Sequence, residues 1–345
     1  MSFDQAIEGA YLQTKEDKLF FDIKGIFHPK DRVISFIRFI PDSEGDRIRK
    51  GIHYRKIYDI SERYSFLKQH FPKYIFYSNY LDMELLGVKR KDIRKIYTPR
   101  SYFEKLKEKN NLSKNELKAI ELCYLFIEKG KIPEGSIGIT GSQMVGLNKE
   151  NSDIDLIIYG TEVAKNFQKK LVSIFQDKNE CRKYNFEEYK KHYRFRADGA
   201  GISFNDFMKS EIRKNHQGKY RNLDFFIRYI KSPEDWKGDY YDYQFRNLGR
   251  IKLSAEIINS SDSLFTPCSY LINPLRIINE KDFSKDIDMN KIKEINSYRG
   301  RFCEHAEEEE IVMVEGKLEK VDYKNEEIYY RILLGNKKQD KMIKL

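Results

Sequence analysis

The sequence predicts an α+β fold in which a centre of strands and helices lies between two β-rich segments. Three observations carry that expectation. At the centre, Ile137-Gly138-Ile139-Thr140 is a short apolar strand that runs into Gly141-Ser142. A polar loop follows, and then Ser152-Asp153-Ile154-Asp155-Leu156-Ile157-Ile158-Tyr159 alternates acid and aliphatic. On either side of this pair, residues 113–130 and 161–177 carry apolar side chains at helical spacing. Farther out, runs rich in Phe, Ile and Tyr are bounded by turn residues, as short strands are.

Residues 1–105 read as a β-rich domain. Residues 19–27 and 32–40 are strands by their Phe and Ile content, and His28-Pro29-Lys30-Asp31 is the turn of their hairpin. Ser61 opens a helix that runs to His70, and residues 74–80 form a further aromatic strand. Basic and aromatic residues interleave over 47–58. That pattern suits a nucleic-acid surface and equally an amphipathic strand showing its basic face to water.

Residues 106–238 read as the central module. Ser113 and Glu116 fit a capping box, each side chain satisfying a free N–H at the helix start. Leu117, Ile120, Leu122, Leu125, Phe126 and Ile127 continue that helix to Gly130. Residues 161–177 form the next helix, a second amphipathic one covers 204–214, and the stretch 219–230 reads as one strand. Asp224 is the single acid in that apolar run, and a buried acid needs a cation or hydrogen bonds.

The chemistry sits in the central pair of strands. Side chains on a strand alternate between faces, so Asp153 and Asp155 share one. Two close carboxylates raise each other's pKa unless a cation lies between them. Mg²⁺ resolves that cost and prefers carboxylate oxygens together with substrate phosphates. Gly141-Ser142 supplies a turn whose backbone can approach an anion closely.

Gly141-Ser142, a spacer, and then Asp153-Ile154-Asp155 resembles the signature of the nucleotidyltransferase superfamily typified by DNA polymerase beta. The step from Ser142 to Asp153 is 153 − 142 = 11 positions, which suits that pattern. The resemblance implies a core of mixed sheet with helices on one side, and NMP transfer from an NTP to a hydroxyl with release of pyrophosphate. It implies that Asp153 and Asp155 hold Mg²⁺ or Mn²⁺ in a two-metal arrangement and that Gly141 and Ser142 contact the triphosphate. Ser152 is placed with the nucleotide-binding residues, orienting the acids or closing their loop. A third metal-binding and catalytic carboxylate comes from a later strand. Asp224 matches it, with Asp206 and Asp198 as alternatives. Lys214, beside Arg213, His216 and Lys219, either reaches the triphosphate or lies in a solvated turn. Over most of its length the chain is also similar to an uncharacterised group of archaeal predicted nucleotidyltransferases.

Residues 239–345 read as mainly β. Strands are expected at 250–258, 268–278, 311–321 and 327–334, a short helix at 291–298 and a basic loop at 299–303. Short strands separated by turns suggest a small barrel or sandwich. Net charge is 64 − 54 = +10, which favours a polyanionic partner, RNA first. A nucleic-acid-binding protein with an inactive core, and nucleotidylation of a protein or small molecule, are the alternatives. Cys123, Cys181, Cys268 and Cys303 are scattered, so reduced thiols rather than a zinc site are expected. Without a long apolar run or a signal-peptide pattern the expectation is a cytoplasmic protein with no membrane partner. The sequence assigns no oligomeric state.

Overall fold

The computed structural model describes residues 6–177, 180–197, 199–279 and 287–345. The chain gathers into two compact units. The first runs up to 78 and adds 84–182 and 216–240; the second takes 79–83, 183–215 and 241–345. The boundary expected near 105 therefore falls inside the first unit, and 183–215 leaves the central module for the second. Among the described residues no helix is long and apolar enough to cross a membrane.

The first unit begins with eight strands: β1 (Tyr11–Thr14), β2 (Phe20–Ile23), β3 (Arg32–Pro41), β4 (Arg47–Arg49), β5 (Ile52–Lys56), β6 (Ile75–Ser78), β7 (Met83–Lys89) and β8 (Ile93–Tyr97). Their sheet runs β4-β5-β3-β2-β1-β8, with β7 joined to β3 and β6 to β7. The expected hairpin is β2 with β3, antiparallel, Asp22 opposite Phe36. Helix α1 (Ile60–His70) starts one residue before Ser61, because the Asp59 carboxylate accepts the N–H groups of Ser61 and Glu62 at 2.8 and 3.0 Å. The sheet is apolar on both faces. Leu12, Phe21, Ile23, Val33, Ile37 and Val88 pack with Leu67 of α1 on one side. On the other, Tyr11, Phe20, Phe39 and Tyr54 pack on Met144, Val145 and Leu147 of the central module. That second layer is why no boundary forms near 105: the N-terminal sheet buries one face against the Gly-Ser segment.

The second sheet holds β9 (Ile137–Ile139), β10 (Ile154–Tyr159), β11 (Cys181–Arg182), β12 (Gln217–Tyr220) and β13 (Leu223–Ile230), in the order β11-β12-β13-β10-β9. Only β10 and β13 are parallel, so the sheet is mixed. After α1, the helices of this unit are α2 (Pro99–Lys107), α3 (Lys114–Glu128), α4 (Gly141–Met144) and α5 (Thr161–Gln176). The capping box of Ser113 and Glu116 opens α3 as expected. Helices α3 and α5 cover one face through ring contacts of Phe126 with Phe167 at 4.9 Å and with Phe225 at 5.9 Å. Pairing of Asp155 with Phe226 and of Ile157 with Arg228 puts those residues on the opposite face. The run 219–230, expected as one strand, is a hairpin. Arg221 and Asn222 turn it at φ 43° and 72°, a left-handed conformation that Asn tolerates.

The second unit contains α6 (Phe186–Arg196) and α7 (Phe204–Glu211), then β14 (Tyr243–Asn259), β15 (Cys268–Asn279), β16 (Ile292–Ser297), β17 (Ile311–Tyr323), β18 (Glu327–Leu334) and β19 (Lys341–Lys344). The strands pair β14-β15-β16-β18-β17 and β17 returns to β14, closing a five-stranded barrel with β19 on its edge. Leu253, Tyr270, Ile295, Val314, Leu318 and Ile332 fill it. The long β14 bends at a bulge between Asn247 and Arg250, where Gly249 takes φ 101°. The helix expected at 291–298 is instead β16. An irregularity between Ile292 and Glu294 lets Ile292 and Ile295 both face the core, a three-residue spacing that reads as helical in sequence.

Candidate active site

The acid strand β10 is clamped between β9 and β13. Leu156 pairs with Ile139, and the Thr140 N–H donates to the Asp155 carbonyl at 2.8 Å. The chain then turns at Gly141, φ 74°, into the single helical turn of α4. A Cβ at position 141 would lie 2.2 Å from Asp155 Oδ2. Glycine is thus required twice, by its left-handed backbone and by a carboxylate pressed against that backbone. Ser142 and Gln143 are buried behind the turn, and the Leu147 N–H returns to the Ser142 carbonyl at 2.9 Å.

The loop from α4 to β10 closes on itself. Ser152 Oγ accepts the Lys149 N–H at 2.8 Å, and the Ser152 N–H donates to the Lys149 carbonyl at 3.0 Å. Asn115 Nδ2 of α3 donates to the same carbonyl at 2.8 Å. Ser152 therefore shapes the loop that delivers Asp153.

Charge around Asp155 is unbalanced. Burial first, then the charge of Asp153, push its carboxyl up to about 6, against the pull of Arg228, Lys56 and Arg38. Asp22 of β2 lies close by and behaves oppositely. Burial works against its carboxylate as well, but Lys24, Arg228 and Arg38 outweigh it and hold the group at about 2. Lys24 Nζ reaches Asp22 at 3.0 Å and Glu8 at 2.9 Å, and Arg228 reaches Glu8 at 3.0 Å. A pair of carboxylates whose repulsion the surrounding cations do not relieve is a donor set that fits a divalent ion. Among the described residues no three His, Cys, Asp or Glu side chains are grouped as metal ligands. Phosphate and water oxygens would have to supply the remaining positions.

The other expected residues lie as follows. Asp224 opens β13. Continued one residue past the start of β10, the register of Ile154 with Phe225 would set Asp153 level with Asp224. Its side chain nevertheless turns to its cross-strand partner Lys219, at 2.9 Å, and is half exposed. Lys214, expected at the triphosphate, belongs to the second unit with its ammonium enclosed. It pairs with Glu211 at 2.8 Å and donates to the Arg301 carbonyl at 2.6 Å. Arg213 is held by Glu310 at 2.7 Å, and His216 meets Phe226 edge-on at 5.0 Å. Asp206 lies in the first turn of α7, where its N–H donates to the capping Ser203 Oγ at 3.0 Å and its carboxylate pairs with Lys209 at 3.1 Å. Asp198 lies outside the described residues.

Sequence reasoning missed Glu8, Asp22, Arg38 and Arg228, and noted Lys56 only as part of the basic stretch 47–58. One signal was present: an arginine inside the apolar run Phe225-Phe226-Ile227-Arg228-Tyr229-Ile230 needs a buried anion as much as Asp224 needs a cation.

Residues 125–232, which include the Gly141-Ser142 turn and the acid strand, match the family model of the nucleotidyltransferase domain. Over 337 residues the chain is 28% identical to an uncharacterized protein, MJ1086, of Methanocaldococcus jannaschii, covering 95% of each chain. No solved structure matches it.

Proposed function

We propose that this protein is a divalent-metal-dependent nucleotidyltransferase that moves a nucleoside monophosphate from an NTP to a hydroxyl, with an RNA end as acceptor. The observation that carries the reading is Asp155 against Gly141, its carboxyl raised to about 6 by burial and by Asp153. Asp153 and Asp155 would hold Mg²⁺ or Mn²⁺, which when bound neutralises phosphate charge and lowers the pKa of the attacking hydroxyl. Gly141 and Ser142 set the backbone against which the triphosphate lies. The acceptor oxygen bonds to the α-phosphorus, the bond to the bridging oxygen breaks, and pyrophosphate leaves with the electron pair. Asp224, which pairs through Oδ2 with Lys219, would take the hydroxyl proton or be among the residues that hold the metal. The chain's share is positioning and charge complementarity rather than covalent chemistry.

RNA is favoured as acceptor by the net charge of +10 and by the five-stranded barrel, an architecture shared with OB domains, whose strand faces bind oligonucleotides. The test supplies each of four α-labelled NTPs with Mg²⁺ or Mn²⁺ and offers total RNA and protein extract as acceptors. Label in RNA that disappears with Asp153→Asn and Asp155→Asn supports the reading. Label in protein alone replaces the acceptor. No transfer, with tight RNA binding that weakens steeply with salt, replaces the enzyme by a binding protein.

A further inference from the structure

The N-terminal sheet, which precedes residues 125–232, brings its own cations to the acid pair. Phe20 pairs with Phe39 and Phe21 with Ile37, so Arg38 is an extra residue at a bulge. A bulge re-aims side chains, and Arg38 lies close to Tyr11 and Asp22. Tyr11 belongs to the face that carries Phe20, Phe39 and Tyr54 and that packs on α4 and Val145. Lys56 pairs with Phe39 across the β3–β5 ladder and follows Tyr54 by two positions, so it projects from that same face. The acidic groups acting on its ammonium are Tyr58, Asp153 and Asp155.

Neighbouring cations of the sheet have partners. Lys24 is held by Glu8 and Asp22, and Arg55 by Asp42 at 2.9 Å and Glu62 at 2.6 Å. Arg47 donates to the Leu147 carbonyl. Lys56 instead lies over the Tyr58 ring at 4.7 Å, with no carboxylate in ion-pair reach among the described residues. Arg38 Nε is buried with no hydrogen-bond partner among them. A partly buried ammonium is costly unless an anion comes to it. A polyphosphate beside two carboxylates needs cations beyond those that bind the carboxylates, and lysine meets phosphate as a compact point charge.

We propose that Lys56, with Arg38 behind it, is a phosphate-binding residue that grips the terminal phosphates of the nucleoside triphosphate presented to Asp153 and Asp155. The proposal rests on the nucleotidyltransferase reading and adds to it that a strand outside the matched domain completes the nucleotide site. Phosphates beyond the α position are the groups Lys56 would meet, so its loss should separate triphosphate from monophosphate binding.

The experiment is equilibrium dialysis of the full chain with Mg²⁺ and labelled ATP or labelled AMP, without acceptor, for wild type, Lys56→Met and Lys56→Arg. Lys56→Met should weaken ATP binding by about tenfold or more and leave AMP within about twofold, with Lys56→Arg recovering most of the loss. A melting curve beside each variant reports folding, and Lys56→Gln replaces Lys56→Met if the latter does not melt cooperatively. Unchanged ATP binding, or equal loss of ATP and AMP, overturns the role of Lys56 and leaves the nucleotidyltransferase reading standing. Wild-type protein that binds neither nucleotide overturns both.

Discussion

Each unit buries charge, and the two do it differently. In the second unit Glu211 takes Lys214 at 2.8 Å and His192 at 2.9 Å, and Glu319 takes Lys317 at 2.7 Å and Arg331 at 2.9 Å. These groups close on one another. Burial works against the Glu211 carboxylate, yet Lys214 and His192 hold it well below the usual range. In the first unit Glu8, Asp22, Lys24 and Arg228 also interlock, but the balance stops at Asp155. The same Arg228 and Arg38 that help hold Asp22 at about 2 do not keep Asp155 from rising to about 6. Charge that closes on itself maintains a fold; at Asp155 the charge stays unbalanced, which is where the proposed ligand would complete it.

The largest effect that would break this contrast lies at Asp155. Asp155→Asn should cut nucleotide incorporation by about three orders of magnitude or more without lowering the melting temperature. A parallel fall in stability would mean that Asp155 is structural like Glu211. Glu211→Gln should do the reverse, leaving Lys214 uncompensated at a cost of about 3 kcal/mol while turnover at low temperature persists. Denaturant unfolding and incorporation assays on that one variant decide it. Gly141→Ala sharpens the comparison from the backbone side. With φ 74° and a Cβ placed 2.2 Å from Asp155 Oδ2, it should cost about 2 kcal/mol and displace the acid, so stability and turnover fall together.

The smallest effect is in pH, and its sign differs between the units. Asp155 has a raised folded-state pKa, so its native form holds more protons than the unfolded chain between about 4 and 6. Its ionisation removes stability as pH rises through that window. Wild type without added metal should therefore gain on Asp155→Asn by about 1 kcal/mol as pH falls from 6 to 4, the figure being reduced for solvent screening. His305 in the second unit is pushed down to about 3, by burial first and then by Lys214. Its native form stays neutral while the unfolded imidazole protonates, so it removes stability as pH falls below about 6.5. Melting curves of wild type, Asp155→Asn and His305→Asn from pH 7.5 to 4.5 measure both slopes.

Local signals were legible. The capping box at Ser113 and Glu116, the hairpin of β2 and β3 and the helix at 161–176 follow from nearest-neighbour chemistry. Where a tertiary requirement overrode the local pattern, the reading moved. A register irregularity turned the helical spacing of Ile292 and Ile295 into a strand, and a two-residue turn at Arg221-Asn222 split one apolar run into a hairpin. Lys214 shows the same limit at a site. Its basic neighbourhood in sequence suggested phosphate, whereas Glu211 one helical turn earlier and the Arg301 carbonyl far along the chain enclose it.

By itself the sequence determined the turn and the acids: a glycine where only glycine fits, and two aspartates two residues apart, Asp155 in β10 and Asp153 just before it. Those are short-range relations, fixed by backbone sterics and by the period of a strand. Only the tertiary structure decided what surrounds them. Asp22, Arg38 and Lys56 are more than 95 residues from Asp153 in the chain. They reach the acids because the sheet that carries them needs a second apolar layer and finds it on the Gly-Ser segment. Coulomb interaction acts through space rather than along the chain, so whether a buried carboxylate rests at about 2 or at about 6 is set by neighbours that no local pattern reveals.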